Sequence, residues 1–142
     1  MSESREWKVG GTTVRFEPPD LVWVHTRGRA TLEDAIRLVD VYRELGQQQP
    51  ILIVSDLSEA TTLELEGGRY ISEHIQPEWI QGTIYIGARL LHRAVAKGIA
   101  LAVHLAGRAE ASALTRVHFV SSEAQARELI TRMRSERLGK AA

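Results

Sequence analysis

Residues 50–68 read PILIVSDLSEATTLELEGG, and this stretch decides the fold. It opens with four apolar residues, Ile51, Leu52, Ile53 and Val54. The run is too short for a helix and rich in β-branched side chains, so it reads as an inner strand covered on both faces. The chain then turns polar at Ser55, Asp56, Leu57 and Ser58, and residues 59–62 read as a loop. A helical pattern follows, with Leu63, Gly67, Tyr70, Ile71 and Ile75 on or near one face. A buried strand that ends in a polar loop above a helix start is where open α/β sheets place their sites.

Working outward, the N-terminal side supplies a hairpin. Trp7 to Val9, a Gly10-Gly11 turn and Thr12 to Phe16 read as two short strands. Pro18 and Pro19 stop both ladder and helix. Residues 21–26 (LVWVHT) form the next strand, closed by residues 27–30. Thr31 caps a helix with Glu33 and Asp34 in its first turn, and Leu32, Ala35, Ile36, Val39, Tyr42 and Leu45 make its apolar stripe. Gly46 is placed to end it in the left-handed conformation.

On the C-terminal side, Gln76-Pro77 breaks the chain, residues 83–86 (TIYI) read as a strand and Gly87 as its exit. Residues 88–107 are helical in composition, and Val117 to Val120 read as a short strand. Ser122 with Gln125 makes a capping box for a last helix that carries Ala126, Leu129, Ile130 and Met133 on one face. Arg127, Glu128, Arg132 and Arg134 lie on the other, and residues 138–142 are expected to fray, like residues 1–6. The order β, β, α, β, α, β, α, β, α predicts an α/β fold: a mixed sheet, antiparallel at the start and parallel afterwards, with four helices. One domain spans 1–142, with its core over about 7–137.

Composition is that of a soluble globular protein, 44% hydrophobic and 25% charged. There are no cysteines, so disulfide and thiolate chemistry are excluded. The polar start, MSESRE, lacks a signal-like apolar stretch and argues for a cytoplasmic protein. The net charge is zero but divided: residues 1–85 hold 14 acidic and 8 basic side chains, residues 86–142 hold 4 and 10. Such a split gives either an acidic and a basic contact face or two solvated faces. Zero net charge and the wide separation of Trp7, Trp23 and Trp79 argue against nucleic-acid binding.

No catalytic signature is present. The chain has no G-x-S-x-G, no phosphate-binding G-x-x-x-x-G-K-[ST] and no G-x-G-x-x-G. His25, His74, His92, His104 and His118 form no i, i+4 pair, so neither a metal nor a cofactor is expected. The acidic stretch around Asp56, Glu59, Glu64 and Glu66 reads as a solvated loop before it reads as a cation site.

The hairpin ending at Gly28, the capped helix from Thr31, the strand into Asp56-Leu57-Ser58 and the closing run FVSSEAQA (119–126) together resemble the STAS domain, more narrowly the SpoIIAA-like (STAS/SEC14-like) family, over roughly residues 12–135. The resemblance implies a non-catalytic regulatory or protein-interaction module. Phospho-regulated members follow the same strand end with Asp-Ser-Ser-Gly, in which a serine is phosphorylated by a partner kinase. Here those positions hold Glu64, Leu65, Glu66 and Gly67. The phosphoacceptor is replaced by Glu66, whose carboxylate carries less charge than a phosphoserine and cannot be removed. Such a chain is either fixed in a phosphorylated-like state or, the preferred reading, has left that circuit. Ser58, Thr61 and Thr62 remain as hydroxyls open to modification. The expected partner-binding surface is Asp56, Ser58, Thr61, Thr62, Glu64, Glu66 and Gly67.

The 88–107 segment carries a second expectation. At about 100° per residue, Arg89, Arg93, Lys97, Ala100, His104 and Arg108 share one arc, and aliphatic residues fill the rest. That is more apolar surface than one sheet face covers. Leu91, Val95, Ile99 and Val103 are therefore expected to pair with a second copy as a homodimer or to cover an apolar, lipid-like ligand. Alternatively the helix lies on a membrane with Arg89, Arg93 and Lys97 at anionic headgroups, or it is sandwiched between sheet and neighbouring helix. Similar proteins are thought to swing this region and pair through it, which the resemblance adds to the dimer reading.

Overall fold

The computed structural model describes residues 5–88 and 117–141. Among them lie six strands in one sheet: β1 (Arg5–Val9), β2 (Thr12–Glu17), β3 (Leu21–Ala30), β4 (Ile51–Leu63), β5 (Ile80–Ile86) and β6 (Val117–Val120). Three α-helices are described with them, α1 (Leu32–Gly46), α2 (Leu65–His74) and α3 (Glu123–Ala141), and a 3-10 turn at Pro77–Trp79 precedes β5. The fourth expected helix, at 88–107, lies outside the described residues. No helix among the described residues is long and apolar enough to cross a membrane.

The sheet is mixed as expected, and its strands lie in sequence order, β1 to β6. β1, β2 and β3 pair antiparallel, and β3, β4, β5 and β6 pair parallel. Parallel neighbours need a crossover, and a crossover of fixed hand that always steps the same way leaves its helices on one face. Accordingly α1 packs with Val14, Val22, Val24, Ile51 and Ile53 on one side. On the other, Ala126 and Ile130 of α3 meet Leu21, Trp23, Leu52, Val54, Ile84 and Ile86. Ile51 to Val54 thus fill both layers in alternation, and all four are at most 4% exposed.

Several local expectations change. Residues 59–62 are not a loop: β4 runs on to Leu63 and pairs with an equally extended β3, Arg27 opposite Glu59 and Ala30 opposite Leu63. Register shifts beside His25/Arg27 and Gly28/Arg29 let the ribbon continue. Glu59, Thr61 and Thr62 are polar because they are exposed on this ribbon, while Ala60 between them is buried. β1 begins at Arg5, whose Nη1 lies 3.0 Å from Glu44, so the start is tied down earlier than expected. At the other end α3 stays helical to Ala141, since the tail lacks proline and is made mostly of helix formers.

The helix caps are also specific. Thr31 Oγ1 accepts from Asp34 N at 3.2 Å and Asp34 Oδ2 accepts from Thr31 N at 3.0 Å, a complete capping box. At the start of α3, Gln125 N donates to Ser122 Oγ, but the Gln125 carboxamide accepts from Ser121 N, one residue before the cap. Arg127 and Arg134, on the face of α3 expected to be polar, reach the β2–β3 corner: Arg127 Nη2 is 3.3 Å from Glu17, and Arg134 pairs with the buried Asp20.

Gly46 is not left-handed; positive φ occurs at Gly10, Gly28 and Gly87. It is a glycine for another reason, because a Cβ there would lie 2.4 Å from Trp79 Cβ and 3.1 Å from Trp79 Cα. Alanine would gain up to about 1 kcal/mol in helix propensity. Overpacking against a backbone-anchored atom costs roughly 1–3 kcal/mol and wins. Gly46→Ala is therefore expected to lower the unfolding free energy in urea titration, and an unchanged or raised midpoint would contradict this packing.

Candidate functional site

The face shared by α1 and α2 is built from rows of paired residues running across the sheet. One row is Trp7, Val14, Val24, Ser55, Tyr85 and Phe119; the next is Phe16, Val22, Ile53, Thr83 and Val117. Each row begins aliphatic or aromatic; the first acquires hydroxyls at β4 and β5, the second at β5. Above those hydroxyls the helices do not close on the sheet. A chamber of about 160 Å³ remains, with Val24, Ile53, Leu57, Leu38, Leu63 and Ile71 among its walls.

The space follows from residue size. α2 approaches α1 through Gly67, where a Cβ would sit 3.3 Å from Ala35 Cβ and 3.4 Å from Thr31 O. Ala30, Ala35, Gly67 and Gly68 all line the chamber, and so do Ser55 and Thr83. Small residues bring the two helices together yet leave nothing long enough to fill the volume between them and the sheet. Gly67 thus serves close helix packing.

The polar groups are of two kinds. Asp34 and Glu64 are already committed: Asp34 to the capping box, and Glu64 Oε1 to Leu32 N at 3.0 Å, with Glu64 Oε2 taken by Arg29. Glu64 is the N-cap of α2 by backbone position but makes no side-chain bond there. Its carboxylate instead caps the free N–H at the start of α1, fastening both helix starts together. The Leu32 N–H, and then the Arg29 guanidinium, hold the Glu64 carboxyl below the usual carboxylate range.

The second kind is uncommitted. Tyr42, Ser55, Thr83 and Tyr85 line the chamber, and their hydroxyls have no hydrogen-bond partner among the described residues. Thr26 faces it as well, with Thr12 Oγ1 3.4 Å from its own hydroxyl. The Tyr85 ring stacks on Phe119 at 5.5 Å, and burial of its hydroxyl pushes the phenol up to about 12. Burial, and then the neighbouring Tyr85, raise Tyr42 further. Both phenols are neutral O–H groups at physiological pH.

The residues expected to form one partner surface do not converge. Asp56 lies on the opposite sheet face, paired with His25, and its Oδ1 accepts from Ser58 N and Ser58 Oγ at 2.9 and 2.6 Å. Thr61 and Thr62 are exposed on β4, and Glu66 is exposed in the first turn of α2. Glu64 and Gly67 line the chamber. The acidic loop is thus a strand whose carboxylates have separate duties. Glu59, for instance, sits 3.1 Å from Arg27 Nε and 2.5 Å from His25 Nε2, the latter out of line for a hydrogen bond.

Asp56 and His25 belong instead to an open cleft on the α3 face, with Glu6, Thr13, Arg15, Arg27 and Glu123 around it. Trp23 also borders it; its Nε1–H is buried without a partner, and the guanidinium carbons of Arg127 and Arg15 lie 4.5 and 5.7 Å from its ring centroid. Among the described residues no group of three or more His, Cys, Asp or Glu is placed to hold a metal ion. Leu91, Val95, Ile99 and Val103, and the Arg89, Arg93 and Lys97 set, lie outside the described residues.

Sequence reading missed Ser55, Thr83, Tyr85 and the polar role of Tyr42. The available signal was period-two alternation: 53, 55 and 57 on β4, and 83 and 85 on β5, must share a face. A scan against protein-family models finds no match for the chain, and a search of curated proteins finds none either.

The Glu64 arrangement has a measurable signature. A depressed folded-state pKa contributes stability above the unfolded value of about 4.3, and this is lost as pH falls through the folded value. Wild type should therefore be more stable than Glu64→Gln at pH 7, with the gap closing towards pH 3. A gap in urea unfolding that stays constant across that range would contradict the assignment.

Proposed function

We propose that the protein is a non-catalytic, STAS-like binding module whose α1/α2 chamber takes a small, largely apolar molecule. The observation that carries this reading is the chamber itself: about 160 Å³ between two helices and the sheet, walled mainly by aliphatic side chains. An apolar cavity of roughly 150 Å³ is enough to accept a benzene-sized guest. Pre-formed concave sites with a few convergent polar groups are where proteins of this size hold ligands. The mixed sheet with helices on both faces is compatible with the STAS-like resemblance. That resemblance supports a regulatory role, with ligand occupancy passed to a protein partner rather than a substrate turned over. This ligand reading rests on described residues, whereas the apolar-ligand alternative read from residues 88–107 lies outside them.

Toluene is a suitable probe. A ligand at ten times its Kd stabilises the folded state by about 1.4 kcal/mol, which raises the melting temperature by several degrees in a domain of this size. Saturating toluene is expected to give that shift in the wild type. Ser55→Leu, which places a larger side chain on the chamber floor, should abolish it. No shift in the wild type, or an equal shift in the variant, would overturn the assignment.

A further inference from the structure

We infer that the chamber selects a neutral, ring-sized ligand bearing a hydroxyl or carbonyl oxygen, which it holds through Tyr42 and Tyr85. The inference rests on the binding reading above and adds to it the chemical class of the guest.

Three observations lead there. First, a purely apolar guest leaves four hydroxyls idle. Tyr42 is 6% exposed and Ser55 9%, yet neither they nor Thr83 and Tyr85 have a hydrogen-bond partner among the described residues. Hydroxyls that border such a space are met by water when no guest is present, and a guest that displaces it without an oxygen of its own forfeits those bonds. Second, these hydroxyls are neighbours. Ser55 and Tyr85 are direct partners across β4 and β5, Thr83 is two residues from Tyr85 on the same face, and Tyr42 lies close enough to Tyr85 to disfavour its ionisation. They make a polar patch beside the aliphatic part of the wall, which fits a guest with one polar end.

Third, the charge of the guest is restricted. No Lys, Arg or His lines the chamber among the described residues, so none of these offers a counter-ion to a carboxylate or phosphate. An unpaired charge in such surroundings is strongly disfavoured. The two carboxylates that line the chamber already serve the helix starts. Glu64 is held by Leu32 N and Arg29, while Asp34 Oδ2 takes Thr31 N and its Oδ1 packs against Gly10. What remains is a neutral oxygen. A neutral phenol hydroxyl both donates and accepts, so it can meet a ligand hydroxyl or a carbonyl equally. The volume of about 160 Å³ accommodates one ring and a short substituent.

The test compares toluene, p-cresol and benzoate by calorimetric titration of the full chain, wild type and Tyr42→Phe/Tyr85→Phe. In the wild type p-cresol should bind at least tenfold more tightly than toluene, and benzoate at least tenfold more weakly than p-cresol. In the double variant the preference for p-cresol over toluene should vanish while toluene affinity holds. Circular dichroism and a melting curve establish that the variant is folded; if it is not, each single Tyr→Phe variant should lose part of the preference. Equal binding of toluene and p-cresol, tightest binding of benzoate, or a preference that survives loss of both phenols overturns the inference but leaves an apolar-binding module. Binding of none of the three overturns both, and assigns the chamber to ordered water.

Discussion

Strict alternation along β4 is the constraint on which the rest depends. Ile51, Ile53, Ser55 and Leu57 face α1 and α2, while Leu52, Val54 and Asp56 face α3. A strand buried on both faces cannot slip by one residue without exchanging its two layers. That fixes what each helix meets. It places Ser55 among aliphatic residues under α1 and α2, and puts Asp56, one position on, in a separate cleft on the far side. Because β3 and β5 take their register from β4, the same alternation brings Thr83 and Tyr85 beside Ser55.

The chamber is a consequence of how α2 is held. This helix has little of its own: ten residues, no side-chain N-cap and two buried positions, Gly67 and Ser72. Its placement comes from the Glu64 carboxylate on the start of α1, from Glu64 N on Ala30 O at 3.0 Å, and from the contact of Gly67 with Ala35 and Thr31. Those ties act at its N-terminal end. They set α2 over the sheet at a height that small residues do not fill, and an isolated helix of this length would not be stable by propensity. The space beneath it is thus a property of the joint rather than a packing fault.

Much of the architecture was legible in the residues. The unbroken Ile51–Val54 run announced an inner strand, the Gly10-Gly11 turn a hairpin, and Thr31 with Asp34 a helix start. Each is a local signal with a local cause. What escaped depended on partners distant in sequence. Residues 59–62 looked like a loop because they are polar, but their strand geometry is set by the extended β3 alongside. Gly46 looked like a helix stop, but its lack of a side chain answers to Trp79, thirty-three positions on. Glu64 and Glu66 looked alike as acidic residues of one surface; the fold gives the first to the α1 N-terminus and leaves the second exposed. Tyr42 fitted an apolar stripe, and only the sheet beneath it reveals that its hydroxyl faces others.

The function of the fold depends on whether the space under α1 and α2 receives a guest. Intermolecular nuclear Overhauser effects between p-cresol ring protons and assigned methyl groups address this most directly. Contacts to the methyls of Leu38, Ile53 and Ile71 are expected, in a complex whose other methyl shifts change little. Contacts confined to Leu129 and Met133 on the α3 face, or none to the chamber walls, would contradict it.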